Sequence, residues 1–495
     1  MNPHTDILDL PALRQLELAA DAAGLALMQR AADSIATWVS KHYPPASRIL
    51  AAVGPGNNGG DALFAACRLR RAGYAVEVLL PAPGNAAVQA ALAEWQALGG
   101  SVRPTLPASS RAQSPELLLD GLFGVGLSRP LQDDWRELVA ALDRLPCRKL
   151  AIDVPSGLDA YSGQPQGAAL HADVTLSLLC PKPGLYTAAG PDHCGEVLID
   201  ELGCPATLYP PAAGTLALPD AAPLRRRRDS HKGSHGVLSI IGGAAGMTGA
   251  ALLAGRAALA MGAGKIFVHP LDRALTLDPL CPELMLRPWQ HNLRIPEQHQ
   301  LVVGPGLGLS DQAHAALARA LQHPGALLLD ADGLNLLAAD HALQQLLLQR
   351  SGATILTPHP TEAARLLDSD TASVQADRVG AVRELSQRFG CVVLLKGCGT
   401  LLARYGQPYR LLQRGSPSLA VAGQGDVLAG AIAALLAQGL APLDAAHLAA
   451  DVHASAGEHY STQAGGPIGL TSHTLLPLMT QELNRRVSNS GVPPF

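Results

Sequence analysis

The sequence predicts two α/β domains, the first on a parallel, doubly wound sheet and the second on a further series of strands and helices. Three observations support this class. The chain has 495 residues, which is more than one ordinary core can hold. Short apolar runs alternate with longer helical stretches in both halves, as they do where helices connect parallel strands. Aromatic residues make up only 3% of a chain rich in alanine, leucine and glycine, which suits helices of small residues packed on sheets.

The first half is predicted to begin with one helix at about 13–39 and to continue as alternating strands and helices. The expected strands are 49–53, 75–80, 117–119, 149–154, 174–178 and 196–199. Residues 204–231 are rich in proline and have no clear period, which is typical of a linker. We therefore expect domains at 1–215 and 220–495.

The second half repeats the alternation and ends in long alanine- and leucine-rich helices, expected at 426–437 and 444–460. Its expected strands are 236–241, 265–268, 300–303, 326–329, 354–357, 391–396 and 399–403.

Composition and charge exclude several classes of partner. The net charge is −4, so no basic field for nucleic acid is visible. The basic run 225–228 is interpreted as solvated linker, with a phosphate- or partner-binding patch as the alternative. The N-terminus lacks a signal-peptide pattern, and the apolar run 427–437 is too short to span a bilayer. Eight cysteines without a C-x-x-C pair predict reduced core residues, so we expect a cytoplasmic protein that binds no membrane.

The loop GPGNNGGDA at 54–62 lies between an apolar strand and a helix, and its glycines fit G-x-G-x-x-G. A plain dinucleotide site also needs an acidic residue near the end of the next strand, but Glu77 lies in the middle of that strand. Asn57, Asn58 and Asp61 add amide and carboxylate oxygens. The loop is therefore predicted to hold a hydroxylated or cationic group beside a phosphate.

Two more polar loops, at 120–130 and 153–160, follow predicted strands and should share the same sheet edge. In the first, glycines followed by Ser128 and Arg129 suit a phosphate cradle, although a glycine turn with a surface arginine is the alternative. Asp153 ends a predicted strand, and a carboxylate buried at such a position usually needs a partner. The alternative is that Asp153 caps a helix or turn.

The same three loops each offer one oxygen ligand, namely Asn58, Asp120 and Ser156. An all-oxygen set of this kind suits a hard monovalent or divalent cation.

In the second half, the sequence GQGDVLAG at 423–430 places two glycines before Asp426 at a helix start. Backbone N–H groups there can hold a phosphoryl group while Asp426 acts as general base, with a helix-capping aspartate as the alternative. The sequence LLKGCGT at 394–400 offers Lys396 and Thr400 to phosphates. His359 begins a helix and would, taken alone, more often be a packed turn residue.

Further polar groups follow two other strands of this half. The sequence VVGPGLG at 302–308 adds a glycine loop, and LLLDADGLNLL at 327–337 adds a strand-end Asp-x-Asp. No G-x-x-x-x-G-K-[ST] pattern is present, which argues against a Walker-type NTPase.

The motifs GPGNNGGDALFAACRL, DGLFGVGLSRP, AIDVPSGLDAYSG and PKPGL, in this order, resemble the NAD(P)H-hydrate epimerase domain, a Rossmann-like fold that interconverts the R and S hydrates. The resemblance covers residues 1 to about 215. It implies that Asp153 is an acid/base contact and that potassium is bound by Asn58, Asp120 and Ser156. It also implies that the hydrated nucleotide is held by Asn57, Asn58, Gly59, Gly60, Asp61, Gly124, Val125, Gly126, Leu127, Ser128, Arg129 and Pro130.

The motifs of the second half, with HKGSHG at 231–236 and GAALLAGRAALAMGAGK at 249–265, resemble ADP-dependent NAD(P)H-hydrate dehydratase, a ribokinase-like fold. Coverage runs from about 220 to 490. The resemblance implies hydrate contacts at Ala250, Gly306, His359 and Asp426, and phosphate contacts at Lys396, Gly397, Cys398, Gly399, Thr400 and Gly425. The implied reaction phosphorylates the hydrate hydroxyl, with Asp426 taking its proton, and then eliminates phosphate.

Together these resemblances predict a bifunctional NAD(P)H-hydrate repair enzyme. Its expected ligands are hydrated NADH or NADPH, ADP or ATP, potassium and magnesium, and we expect a homo-oligomer. One alternative is a kinase of a small alcohol on the same ribokinase-like fold, which leaves the first half unexplained. Another alternative makes the first half a binding or scaffolding module.

Overall fold

The computed structural model describes residues 2–106, 114–127 and 129–489. It forms two compact units, Met1–Leu216 and Ala217–Phe495. The segment expected to be a linker is packed at several points, because Cys204 and Tyr209 belong to the core of the first unit and Leu224 to the core of the second. Some of its apolar residues are therefore buried, whereas Leu218 is exposed.

The first unit contains a parallel sheet with the strand order β4-β3-β2-β5-β6-β7-β8 in the described part of the chain. A short antiparallel pair joins β1 to β9. The strands are β1 (Asp6–Ile7), β2 (Arg48–Val53), β3 (Ala75–Leu79), β4 (Val102–Arg103), β5 (Leu117–Gly121), β6 (Arg148–Ile152), β7 (Val174–Leu178), β8 (Glu196–Asp200) and β9 (Gly214–Thr215).

The helices of the first unit differ from prediction at its start. The single helix expected at 13–39 is two helices, because Gly24 adopts a φ of +73° that ends the first. The helices are α1 (Leu10–Ala22), α2 (Leu27–His42), α3 (Asn57–Arg71), α4 (Ala86–Ala97), α5 (Asp133–Asp143) and α6 (Gly190–Cys194).

The second unit is built on a sheet in which β10 to β16 are parallel and a final hairpin is antiparallel. Within this unit the strand order is β18-β17-β16-β15-β14-β13-β10-β11-β12. The strands are β10 (Val237–Gly242), β11 (Lys265–Pro270), β12 (Met285–Leu286), β13 (Gln300–Val303), β14 (Leu327–Leu329), β15 (Thr354–Leu356), β16 (Val392–Leu395), β17 (Leu401–Ala403) and β18 (Tyr409–Leu411).

The alanine-rich helix of the second unit is buried on nearly all sides because small residues let it approach its neighbours. A Cβ placed at Gly430 would lie 2.0 Å from the Ala254 carbonyl oxygen of the facing helix. The helices are α7 (Thr248–Ala260), α8 (Asp311–Leu321), α9 (Asp332–Ala339), α10 (His341–Leu348), α11 (Pro360–Leu366), α12 (Thr371–Ala376), α13 (Arg378–Phe389), α14 (Gln424–Ala437), α15 (Pro442–Ala464) and α16 (Ser472–Asn489).

The predicted α/β class is confirmed by these two sheets and their covering helices. Across the residues that the structure describes, no helix is both long and apolar enough to cross a membrane. The eight cysteines all lie within the described residues and form no disulfide there, and Cys398 is the exposed one among them.

Candidate functional site

The polar loops of the first unit meet because their strands are neighbours. In the sheet, Ala52 of β2 pairs with Asp120 of β5, which pairs in turn with Ala151 of β6. The loops that follow these strands therefore leave the sheet side by side, at the edge where parallel sheets bind ligands. Glycine is required where they touch, since a Cβ at Gly54 would lie 1.7 Å from the Leu122 carbonyl oxygen.

Asp120 and Ser156 form one hydrogen-bonded group. The Ser156 hydroxyl donates to Asp120 Oδ1 at 2.5 Å, and the Ser156 N–H donates to Oδ2 at 2.8 Å. Complete burial raises the pKa of Asp120 to about 6, although the hydrogen bonds from Ser156 partly offset that rise. The site therefore contains a carboxylate whose charge is only partly compensated by protein donors.

Asn58 has a buried amide beside the loop 124–130. The residue is 9% exposed, and among the residues that the structure describes neither the amide nitrogen nor the amide oxygen has a hydrogen-bond partner. A Cβ at Gly124 would lie 3.2 Å from Asn58 Cγ and from Asp153 Oδ2, so glycine leaves room between these two side chains. A buried amide without partners costs about 1–3 kcal/mol, which favours a ligand or ion that would satisfy it.

Asp153 follows β6 with a φ of +67°, a conformation that is strained for a residue other than glycine. Its carboxylate accepts N–H groups from Val125 at 3.2 Å and Leu178 at 3.3 Å. It also accepts a hydrogen bond from the ammonium of Lys182, a side chain that is only 2% exposed. Asp153 is therefore held in a fixed direction by donors on both sides.

Two residues near Asp153 were not predicted from the sequence. Lys182 lies in the PKPGL motif, where a lysine directly after an apolar strand was the available signal. Glu17 lies on α1, and burial followed by the Asp153 charge raises its pKa, with Lys182 opposing. The same two causes, burial and then Asp153, hold the pKa of Asp61 well above its usual range. No local pattern links Glu17 to residues so distant in the chain.

The remaining predicted residues of the first unit surround this centre. Gly59 and Gly60 lie buried in the first turn of α3, and the Asn57 side chain accepts a hydrogen bond from Asn85 at 2.8 Å. The predicted phosphate loop is described at Gly124, Val125, Gly126, Leu127, Arg129 and Pro130, the last two being exposed. Ser128 lies outside the described residues.

In the second unit, a buried ion pair lies at the carboxyl ends of β14 and β16. The Lys396 ammonium donates to Asp330 Oδ1 at 2.7 Å, and the Thr357 hydroxyl donates to the same oxygen at 2.8 Å. Glu362 Oε2 lies 3.8 Å from the ammonium. Burial lowers the pKa of Lys396, but the charges of Asp330 and Glu362 outweigh it and raise that pKa overall.

His359 caps α11 and is held by Glu362. Its Nδ1 accepts N–H groups from Thr361 at 3.1 Å and Glu362 at 3.4 Å, while its Nε2 lies 3.2 Å from Glu362 Oε1. Nδ1 therefore lacks a proton and Nε2 donates to the carboxylate. The turn role that the sequence left open is present, and the ring remains 47% exposed to a ligand.

The loop 396–400 takes its shape from two glycines and one arginine. Gly397 and Gly399 have φ values of +132° and +62°. Arg378 on α13 is 2% exposed and donates to the carbonyl oxygens of Lys396 at 3.2 Å and Gly399 at 3.3 Å. Thr400 donates to the Gly397 carbonyl at 3.1 Å, and Cys398 is exposed at the turn. Arg378 was not predicted as a site residue, because no sequence motif connects it to this loop.

Asp426 lies half-buried in the first turn of α14, beside the ion pair. A Cβ at Gly425 would lie 3.5 Å from Lys396 Nζ and 3.7 Å from Asp330 Oδ2. Burial, and then the charge of Asp330, raises the pKa of Asp426 to about 7, with Lys396 opposing. A carboxyl group with such a pKa can accept and release a proton near neutral pH.

The structure also brings Ala250 and Gly306 together. Gly306 has a φ of +58°, and a Cβ there would lie 3.1 Å from that of Ala250. Ala250 lies in the first turn of α7, which follows β10, and Gly306 lies in the loop after β13, the strand adjacent to β10 in the sheet. The loops after β10, β13, β14, β15 and β16 thus form one continuous edge.

Fold and sites together define a two-unit α/β protein of enzyme type, with a cluster of polar side chains at the carboxyl edge of the sheet in each unit. Residues 24–184 match the sequence profile of a family described as YjeF-related protein N-terminus, and residues 238–480 match that of NAD(P)H-hydrate dehydratase.

Relatives extend the likeness over both units. The bifunctional NAD(P)H-hydrate repair enzyme Nnr of Coxiella burnetii is 35% identical, over 94% of this chain and 96% of its own. The enzyme of the same name from Escherichia coli is 34% identical, over 96% and 93%. A crystal structure of the ADP/ATP-dependent NAD(P)H-hydrate dehydratase from Bacillus subtilis is 26% identical, with a TM-score of 0.48, and covers 55% of this chain and 99% of its own. The chain belongs to the family of bifunctional NAD(P)H-hydrate repair enzymes, which confirms the family predicted from the motifs.

Proposed function

We propose that the chain restores hydrated NADH and NADPH by two reactions, one in each unit. The first unit interconverts the R and S hydrates, and the second dehydrates the S hydrate at the expense of ADP or ATP. The observation that carries this proposal is the match to bifunctional repair enzymes over both units, each with a polar site at the carboxyl edge of its sheet.

In the first unit, residues 57–61 and 124–130 hold the hydrated nucleotide, and Asp153 is the acid/base that contacts it and serves the hydroxyl group of the hydrated ring. Lys182 and the N–H groups of Val125 and Leu178 orient the Asp153 carboxylate. Asn58, Asp120 and Ser156 hold potassium. The donor set fits, since the unpartnered Asn58 amide and the buried Asp120 carboxylate supply oxygens to a hard cation. A potassium ion bound by these residues would supply positive charge to the site.

In the second unit, Ala250, Gly306 and His359 hold the hydrate, while residues 396–400 and the Gly425 N–H hold the nucleotide phosphates. Asp426 takes the proton of the hydrate hydroxyl as its oxygen attacks the terminal phosphorus atom, and AMP leaves if the donor is ADP. The phosphate ester then loses phosphate and a ring proton, which restores the dihydropyridine. Phosphate is a far better leaving group than water.

Magnesium is proposed to enter with the nucleotide, because Mg²⁺ is usually held by substrate phosphates and one or two carboxylates. Within the described ranges, no group of three or more His, Cys, Asp or Glu side chains is arranged to hold a metal. We also propose a cytoplasmic location, which the free cysteines support, and a homo-oligomeric state, which sedimentation of the purified chain would test.

The test is to incubate the protein with separated R and S hydrates of NADH and to follow dihydropyridine absorbance. The S hydrate should be restored with ADP or ATP, and the R hydrate should be restored after a lag set by epimerisation. Failure to restore the S hydrate with either nucleotide would contradict the proposal. A stable phosphorylated alcohol as sole product would instead favour the small-alcohol kinase.

A further inference from the structure

Asp330 is a buried carboxylate next to the reacting groups of the second unit, and the proposed reaction gives it no role. It follows β14 and is 1% exposed. One oxygen, Oδ1, accepts from both Lys396 and Thr357. The other oxygen, Oδ2, faces the first turn of α14, at 3.7 Å from a Cβ position on Gly425.

We propose that Asp330 is a positioning residue for dehydration, which holds Lys396 against the start of α14, beside Asp426. This inference rests on the proposed function, in which Asp426 is the base. Asp330 itself is enclosed by protein. It acts on the reacting groups through its contact with Lys396 and through its negative charge.

The position of Lys396 is set by its contacts with Asp330. Lys396 is the cation that lies 3.5 Å from the Gly425 Cβ position, and its direction is set by Asp330 at 2.7 Å, with Glu362 farther away at 3.8 Å. The Thr357 hydroxyl fixes the same Asp330 oxygen at 2.8 Å. A lysine held this way needs little reordering to meet a phosphate, which lowers the entropy cost of binding.

Three charged groups around Asp426 influence its pKa. The groups that act on Asp426 are Asp330 after β14, Asp332 on α9 and Lys396 at the end of β16. Both aspartates raise the pKa of Asp426, Asp330 more than Asp332, and Lys396 lowers it. Glu362 on α11, with His359, faces Lys396 on its other side. Removing the Asp330 charge should therefore lower the pKa of Asp426 and free Lys396 to lower it further.

The direction of the pH effect follows from these signs. In the wild-type protein, Asp426 is protonated below about pH 7 and cannot act as base, so the rate of dehydration should fall below that pH. Asp330→Asn keeps the shape of the side chain but removes its charge. The acidic limb of the kcat profile should then move to lower pH by about one unit, a shift typical of losing one nearby like charge.

Matched variants separate charge from shape. Asp330→Glu keeps the charge and should leave the limb near its wild-type position even if kcat falls. Thr357→Val removes one hydrogen bond to Asp330 without changing its charge, and should also leave the limb in place. ADP binding by calorimetry checks that each variant of the second unit is folded.

An equal fall in kcat at every pH, with the limb of Asp330→Asn unmoved, would overturn the inference and leave Asp330 a structural residue. If Asp330→Asn misfolds, Asp330→Glu is the variant that tests the inference. An acidic limb of its kcat profile at the wild-type pH supports the inference, and a limb moved to lower pH overturns it. Failure of the proposed function gives a different result, since the wild-type protein would then restore no S hydrate with ADP or ATP at any pH.

Discussion

The ion pair between Lys182 and Asp153 offers a stringent test of the first unit. Replacing Lys182 by methionine keeps the length of the side chain but removes the ammonium. The Asp153 carboxylate would then keep only the N–H groups of Val125 and Leu178, and the Leu178 carbonyl would lose its donor from Lys182. An uncompensated charge would thus remain beside a strained backbone position.

The size of the effect follows from burial. Removing one member of a buried ion pair costs about 3–5 kcal/mol, and the two remaining N–H donors place Lys182→Met near 3 kcal/mol. For a unit of this size, that cost should lower Tm by roughly 6–12 °C. Epimerisation should fall as well, because Asp153 loses the group that orients it.

Urea unfolding followed by tryptophan fluorescence suits this measurement, because Trp38, Trp95 and Trp135 all belong to the first unit. The double variant Asp153→Asn with Lys182→Met removes both charges and should recover much of the lost free energy of unfolding, while epimerisation stays low. Dehydration of the S hydrate should remain near wild type in both variants. A cost below about 1 kcal/mol for Lys182→Met, with normal epimerisation, would refute the reasoning, because that value is typical of exposed pairs.

Three further predictions concern the other site residues. Asp426→Asn removes the base and should slow dehydration by about 10²–10⁴-fold, with epimerisation unchanged; a wild-type rate of S-hydrate recovery would leave Asp426 as a helix cap. Asp120→Ala should raise KM for the R hydrate and abolish the response of epimerisation to potassium, compared in potassium and choline buffers; an unchanged response would remove Asp120 from the cation site. Arg378→Lys cannot bridge the Lys396 and Gly399 carbonyls in the same way, so it should raise KM for ADP more than it lowers kcat, and equal KM values would show that the loop keeps its shape without the guanidinium.

Much of this architecture could be predicted because its signals are local. Apolar runs of four to six residues bounded by glycine and polar loops are typical of buried parallel strands. Five short strands of the described structure were missed, namely β1 (Asp6–Ile7), β4 (Val102–Arg103), β9 (Gly214–Thr215), β12 (Met285–Leu286) and β18 (Tyr409–Leu411). None has a hydrophobic run long enough to stand out, and each forms through pairing with a neighbouring strand. The break between α1 and α2 was also missed, since its single glycine resembles a tolerated helix residue.

The candidate sites were predictable where one motif holds several members. The loops at 54–62 and 423–430 each show their chemistry within nine residues. Glu17 and Arg378 gave no such signal. Each acts on a loop from a helix elsewhere in the chain, so only the folded structure shows its partners.

The two units share one electrostatic arrangement that the sequence could not reveal. In each, a buried carboxylate directly after a parallel strand pairs with a lysine, Asp153 with the buried Lys182 and Asp330 with the half-buried Lys396. The lysines lie 29 and 66 residues further along the chain, so no motif contains both partners. In the first unit the paired carboxylate, Asp153, is itself the proposed acid/base. In the second unit the paired carboxylate, Asp330, contacts the lysine, and Asp426 is the proposed base. Removal of the lysine charge should therefore act directly on the reacting carboxylate in the first unit, and removal of the carboxylate charge should act through the lysine in the second.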